Sequence, residues 1–261
     1  MLKQAVRSLV TKFGYEINKV SDFSEPVVFP LTDILELIVK KHLEQSPDFF
    51  FVQIGAADGS FADPVCKLIK QYHLRGVLVE PQPRVFQKLV SNYSGEEQLA
   101  FENVVIGTSD GTTKFYSVKE SACNLSNWLE QSASLNRDKV LGALHYWKQK
   151  HPDSLETADS LLEETTLPTL TIKSLLQKYG VQKLDLLVID TMSFDFEIIK
   201  MFPFDWIKPS IIHFEHSLLS IQDQRACLKY LADLGYSLTK VAVDTIACLN
   251  MPTRYWGVKN W

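Results

Sequence analysis

The sequence predicts an α/β fold: a doubly wound, mostly parallel sheet with helices on both faces and one helical insertion. Three observations carry this expectation. Short apolar runs of the fully buried kind recur along the chain, as in FFFVQIG and KLDLLVID. Segments of helical period separate them. The runs end in Gly, Glu or Asp, the residue types that an open sheet of this kind places at its ligand-binding edge.

Composition sets the outer bounds. The 261 residues are 46% hydrophobic and 22% charged, enough to bury a sizeable core without disulfides or a structural metal. With 27 basic and 31 acidic residues the net charge is -4, so nothing draws the whole molecule to a phosphate backbone, and no nucleic acid is expected. No apolar run approaches the roughly 18 residues of a membrane span, and the N-terminus lacks the pattern of a signal peptide. The expected location is cytoplasmic. Cys66, Cys123, Cys227 and Cys248 form no CxxC pair and read as buried small hydrophobes.

Residues 1–30 form an N-terminal unit. Leu2, Val6, Leu9, Val10 and Phe13 share one helical face, with Lys3, Arg7 and Lys12 elsewhere. Such a basic amphipathic helix could make peripheral contact with a membrane. The simpler reading packs it on its own domain or on a second copy in a homo-oligomer. Pro26 and Pro30 punctuate the chain, and residues 31–250 form the main domain, followed by a tail at 251–261. A helix is expected from an Asp33 cap, with Ile34, Leu35 and Ile38 buried.

Strands are expected at FFFVQIG, GVLVEP, LAFENVVIG (99–107) and TTKFYSV (112–118), with helices at 62–73 and 83–92. Thr171 caps a further helix that Gly180 stops, and KLDLLVID and SIIHFE are the next strands. Ser220 and Asp223 open a helix ended by Gly235, and SLTKVAV with DTIACLN forms a final strand pair. Residues 119–166 break the rhythm with two expected helices, no strand signal, and the aromatics Trp128, Tyr146 and Trp147 read as exposed. An insertion there suits a lid or acceptor wall over the ligand edge, or a mere appendage.

The loop after the first strand, IGAADGSF, carries Gly55 and Gly59 for a tight turn, and Glu80 ends the next strand, where it can accept hydrogen bonds from a ribose diol. A dinucleotide fingerprint would want glycine where Ala57 and Ser60 stand, and Asp58 would oppose a pyrophosphate. S-adenosylmethionine, with its ammonium and sulfonium, suits an acidic loop.

FVQIGAADGSF, GVLVEPQPRVFQKL, NVVIGTSDGTTKFY, LPTLTIKSLLQKYG, LDLLVID with FDFEIIK, and IIHFEH with the closing DTIA together resemble the FkbM family of class I S-adenosylmethionine-dependent methyltransferases, over roughly residues 49–250. The resemblance implies a Rossmann-like sheet of seven strands with an antiparallel last strand, S-adenosylmethionine as cofactor, and O-methylation of a sugar, glycan or natural-product hydroxyl. It matches Gln53, Gly55, Asp58 and Gly59 to the cofactor loop, Glu80 to the ribose-binding acid and Asp190 to the acid ending the fourth core strand, and Ala56, Pro81 and Asp110 are further expected members of the cofactor set.

One departure stands just past Asp190. Members of the family typically read IDVEG or IDTEG, whereas this chain reads IDTMS, with Met192 for the glutamate and Ser193 for the glycine. A thioether takes no proton, and a serine at positive φ is strained. The alternative expectation is therefore a cofactor-binding or scaffolding protein with little turnover. Candidate catalytic groups are Asp190, Glu215 and His216, the last with an ordinary pKa of about 6.5. Asp190 and Glu215 could share a cation, but no third ligand is in view, and no metal is assigned.

Overall fold

The computed structural model describes residues 32–120 and 127–249. The helix expected in residues 1–30, the tail expected at 251–261 and Cys123 lie outside the described residues.

Helix α1 (Thr32–Leu43) precedes β1 (Phe50–Ile54), α2 (Cys66–Tyr72), β2 (Arg75–Val79), α3 (Pro83–Asn92) and β3 (Leu99–Glu102). After β4 (Val105–Ile106) and β5 (Gly111–Val118) come α4 (Asn127–Glu130), α5 (Arg137–Lys150) and α6 (Ala158–Leu161). The chain continues through β6 (Leu162–Leu170), α7 (Ile172–Lys178), β7 (Leu186–Ile189), α8 (Asp195–Met201) and β8 (Ile211–Glu215). It ends in α9 (Ile221–Asp233), β9 (Tyr236–Val241) and β10 (Asp244–Leu249).

Seven strands form one sheet in the order β3-β2-β1-β7-β8-β10-β9. Neighbours from β3 to β8 are parallel, and β10 runs antiparallel to both β8 and β9. This is the Rossmann-like class I methyltransferase arrangement. Because β1 leads to β2 on one side and pairs with β7 on the other, the topology reverses between β1 and β7, which opens a crevice beyond their carboxyl ends. Apolar side chains fill both sheet faces, among them Val52, Val77 and Leu187 on one and Phe51, Leu78 and Val188 on the other. Truncating any of the buried Leu or Ile residues to Ala should cost about 2 to 5 kcal/mol.

Capping explains several boundaries. The Thr171 hydroxyl accepts from the Ser174 N–H and opens α7, and Gly180, at φ +60°, ends that turn. Ser220 does the same for α9 through the Asp223 N–H. Helix α2 is shorter than the expected 62–73 because the Asp63 carboxylate takes the N–H groups of Val65 and Cys66 in a turn. Helix α1 begins at Thr32, so Asp33 lies inside it and not at its cap.

The expected strand at 99–107 is two strands, because the chain leaves the main sheet at Asn103. The Asn103 side-chain amide holds that corner by donating to the carbonyls of Glu80 and Pro81 at 2.8 and 3.0 Å. β4, β6 and β5 make a separate small sheet, in which β5 and β6 are antiparallel from Gly111 opposite Thr169 to Val118 opposite Leu162. The expectation of a strand-free 119–166 is thereby corrected, since β6 starts at Leu162. Most of β6 is solvent-exposed or half-exposed and polar, so it carries no apolar alternation to read.

Among the described residues the helical part of the insertion holds three helices around a core of its own, which includes Val118, Leu129, Val140, Leu144, Trp147, Ala158 and Leu161. Trp147 is buried and stacks on His151 at 4.8 Å, which corrects its reading as exposed. Trp128 and Tyr146 are exposed, with ring centroids 6.1 Å apart.

At the opposite end of the sheet, the buried carboxylate of Asp185 collects His42 Nε2 at 2.7 Å, the Ser46 hydroxyl, the Phe50 N–H and Lys183. Burial alone would push this acid up, but the bonds from His42, Lys183 and Phe50 outweigh it and hold it at about 2. This cluster ties α1 to the amino ends of β1 and β7.

Candidate active site at the strand ends

A cavity of about 620 Å³ opens beyond the carboxyl ends of β1, β2, β7 and β8, within the usual size of small-molecule sites. The sheet contributes Gly55, Ala57, Glu80, Asp190 and Glu215 to its wall. The insertion contributes the facing wall, including Trp128, Ser134, Asp138, Gly142 and Tyr146.

The loop after β1 is shaped by close approach. Gly55 has φ +81°, and a Cβ there would lie 1.7 Å from the Asp190 carbonyl oxygen. Gly59 has φ +69°, and a Cβ there would meet the Tyr93 ring at 2.3 Å. The Tyr93 hydroxyl donates to the Gly59 carbonyl at 2.9 Å. Both glycines are therefore required by packing.

Of the other expected loop residues, none lines the cavity. One Asp58 oxygen accepts from the Ser60 N–H, the Ser60 hydroxyl and the Phe61 N–H, so this acid builds the turn and does not face the cavity as expected. Gln53 is buried in β1 and donates to Asp63 at 2.9 Å, while its Oε1 has no partner among the described residues. Ala56 is buried and its N–H donates to the Val79 carbonyl. Ala57, which sequence reasoning passed over, does line the cavity and sits at φ +47°.

Glu80 is buried where β2 ends. Its two oxygens accept from the N–H groups of Ala57 at 2.9 Å and Gln82 at 2.8 Å, and the Gln82 side chain also bonds it. Burial, reinforced by the charge of Asp190, raises it to about 7 against these bonds. Pro81 lines the cavity beside it. Asp110 does not: its carboxylate accepts from the Thr171 N–H and the Ser174 hydroxyl, both at 2.6 Å, and so fastens α7.

Asp190 opens into the cavity while protein atoms surround it. Burial first, then the charges of Glu215, Asp244 and Asp63, raises it to about 7. Burial also raises the half-buried Glu215, which accepts from the Ser217 hydroxyl at 2.5 Å. His216 turns away from the cavity. It is buried, its Nδ1 pairs with the Thr245 hydroxyl at 3.1 Å, and burial lowers its pKa, so it is no base for this site. Asp195, in the first turn of α8, is buried and bonds Thr191 at 3.1 Å.

The chemistry of this donor set fits a cationic ligand. Among the described residues Glu80, Asp138, Asp190 and Glu215 face one cavity against a single ammonium, Lys139, which donates to the Leu218 carbonyl at 2.7 Å. A sulfonium and an amino group are stabilised by such a field, whereas a pyrophosphate is repelled. Among the described residues no three of His, Cys, Asp and Glu come together as a metal-binding group, and no helix is long and apolar enough to cross a membrane.

The family model described as the methyltransferase FkbM domain matches residues 53–238. The chain belongs to the FkbM methyltransferase family. No curated protein matches it significantly. Among solved structures it is similar to a putative caffeoyl-CoA O-methyltransferase from Staphylococcus aureus, at 12% identity and a TM-score of 0.44, over 95% of this chain and 99% of that one. It is also similar to an RNA methyltransferase from Salinibacter ruber in complex with S-adenosyl-L-homocysteine, at 10% identity and a TM-score of 0.34, over 90% and 100%. A fibrillarin pre-rRNA processing protein from Methanococcus jannaschii matches at 11% identity and a TM-score of 0.38, over 78% and 68%.

The FkbM match runs from Gln53 in β1 to Leu238 in β9, so it spans the whole cavity wall, insertion included. Within this FkbM domain the departure after Asp190 has a clear backbone signature. Met192 lies at φ +51° and Ser193 at φ +82°, so the strain expected of Ser193 is present and Met192 shares it. Met192 lines the cavity, and its carbonyl accepts from the Ser134 hydroxyl at 3.3 Å. The insertion is also tied to the domain through Glu130, which pairs with Arg84 and, at 2.6 Å, with Lys88 of α3.

Proposed function

We propose that the chain is an S-adenosylmethionine-dependent O-methyltransferase acting on a hydroxyl of a sugar, a glycan or a small natural product. One observation carries this reading: three carboxylates from three strand ends, Glu80, Asp190 and Glu215, share a cavity whose facing wall is the insertion. On this reading Glu80 accepts from the ribose diol, the loop at Gly55 and Ala57 gives a close backbone wall, and Pro81 and Asp190 complete the cofactor side. S-adenosylmethionine, when bound, supplies an electrophilic methyl group.

The chain's own residues supply position and proton removal. Asp190 and Glu215 are the groups able to accept the acceptor's hydroxyl proton, and an acid raised to about 7 is matched to work near neutral pH. The insertion aligns the acceptor and excludes water. Calorimetry with S-adenosylhomocysteine beside NAD tests the reading. Micromolar binding of the first and none of the second is expected, and undetectable heat with S-adenosylhomocysteine overturns it.

The positive φ at Met192 and Ser193 favours a second reading, a cofactor-binding or scaffolding protein with little turnover. A turnover assay with a competent acceptor separates the two.

A further inference from the structure

We propose that Gly142 is the specificity-determining residue for the acceptor, keeping open a slot that takes an uncharged, ring-bearing hydroxyl compound. This rests on the reading of the cavity as a methyltransferase site.

Helix α5 turns one face to its own core through Val140, Leu144 and Trp147, and another to the cavity through Asp138, Gly142 and Tyr146, spaced i, i+4 and i+8. Glycine is the poorest helix former after proline, so its place inside this helix needs a reason. Packing does not supply one. Among the described residues a Cβ at Gly142 meets nothing within 4 Å, unlike Gly55 and Gly59, where it would collide. What a side chain at 142 would occupy is cavity space.

The surroundings name the occupant's chemistry. Tyr146, one turn further along α5, and Trp128 stand edge to face at 6.1 Å and both line the cavity, an apolar boundary for a ring. Asp138, one turn back, and Asp190 and Glu215 across the cavity are acidic, and Lys139 is engaged by the Leu218 carbonyl. A phosphate or carboxylate on the acceptor would meet like charge, whereas a neutral hydroxyl can reach Asp190 or Glu215.

The test uses 2-naphthol and 4-nitrophenyl β-D-glucoside, each beside its phosphate ester, titrated by ligand-observed NMR with and without S-adenosylhomocysteine. At least one neutral probe should bind, with its phosphate ester at least tenfold weaker. Gly142→Leu should weaken the neutral probe at least tenfold and leave S-adenosylhomocysteine affinity within twofold. Gly142→Ala, the folding control, should raise the melting temperature by about 2 to 4 °C. Wild-type protein that takes no neutral probe, a phosphate ester that binds as tightly as its parent, or Gly142→Leu that keeps the probe overturns the proposal. Failure of S-adenosylhomocysteine to bind sinks the proposed function instead, and the probe comparison made without it still decides the slot.

Discussion

The carboxylate of Glu80 accepts the backbone N–H of Ala57 at 2.9 Å, so the acid that ends β2 also holds the loop leaving β1 in its left-handed turn. On the proposed function, ligand recognition and loop geometry are therefore one device. Its second oxygen fixes Gln82, the residue before α3, so three cavity-lining segments meet at this side chain.

Glu80→Ala should accordingly damage both binding and stability. Losing the charged acceptor for the ribose diol costs about 1.5 to 3 kcal/mol, equivalent to a loss of roughly 10- to 150-fold in S-adenosylhomocysteine affinity, and the two N–H groups left unpaired lower the melting temperature. Glu80→Gln, which keeps one acceptor oxygen, should fall between. Calorimetry showing unchanged affinity in the alanine variant would remove Glu80 from the site.

The β5–β6 ladder gives a clean way to test the insertion. Val118 and Leu162 face each other where the ladder ends, so replacing residues 119–161 by a two-residue turn joins strands that are already paired. The helices removed have their own core, so the main sheet should stay folded. The shortened protein should bind S-adenosylhomocysteine within a few fold of the full chain and lose acceptor use. A soluble version that methylates normally would reduce the insertion to an appendage.

Stability should fall as pH rises through neutrality. Glu80 and Asp190 sit at about 7 and Asp244 at about 6, each raised first by burial, whereas unfolded carboxylates titrate at about 4. Acids raised on folding hold their protons more tightly in the folded state. Their contribution is complete below about 4 and is lost as pH climbs to about 7. His213, lowered by burial to about 4, works the other way, but only up to the unfolded histidine value of about 6.5. Asp185, at about 2, acts in a lower window: its contribution is present above about 4 and lost as pH falls through about 2. Scanning calorimetry of the free protein should therefore show a melting temperature that drops between about pH 6 and 7.5, with a shallower drop in Glu80→Gln. A melting temperature that climbs through that range contradicts the raised values of these acids.

What the sequence made legible is what local chemistry decides. Gly55 and Glu80 stand at strand ends, where apolar runs stop, and both line the cavity. The residues misassigned are those whose partners are distant in the chain. Asp110 sits in a turn signal, but its carboxylate serves Thr171 and Ser174 more than sixty residues later. His216 follows a strand like a catalytic residue, yet Thr245 of the antiparallel β10 takes its ring nitrogen. Trp147 read as exposed because its cover, including Val118 and Leu161, comes from outside its own helix. Asp185 looked like part of an apolar run, and only the fold brings His42 and Lys183 to it.

On the proposed function, Met192 and Ser193 should limit how fast the site works. Both sit at positive φ, and on that reading two effects are superimposed: strain, which glycine would relieve, and a missing proton acceptor, which glutamate would restore. Single variants separate them. Ser193→Gly should raise the melting temperature by about 2 to 4 °C, the shift for roughly 1 kcal/mol at this size, and leave turnover nearly unchanged. The double change Met192→Glu with Ser193→Gly should raise turnover at least tenfold, since a general base is worth about 10²- to 10⁴-fold. Asp190→Asn should remove the activity that remains, because Asp190 is a cavity-lining carboxylate raised to about 7. Rates must be compared at equal folded fraction, so that the stabilisation by glycine is not read as catalysis. If the unmodified protein already turns over at about 10 s⁻¹, the median for enzymes, or if the double change slows it, then Met192 does not stand in the place of a catalytic group.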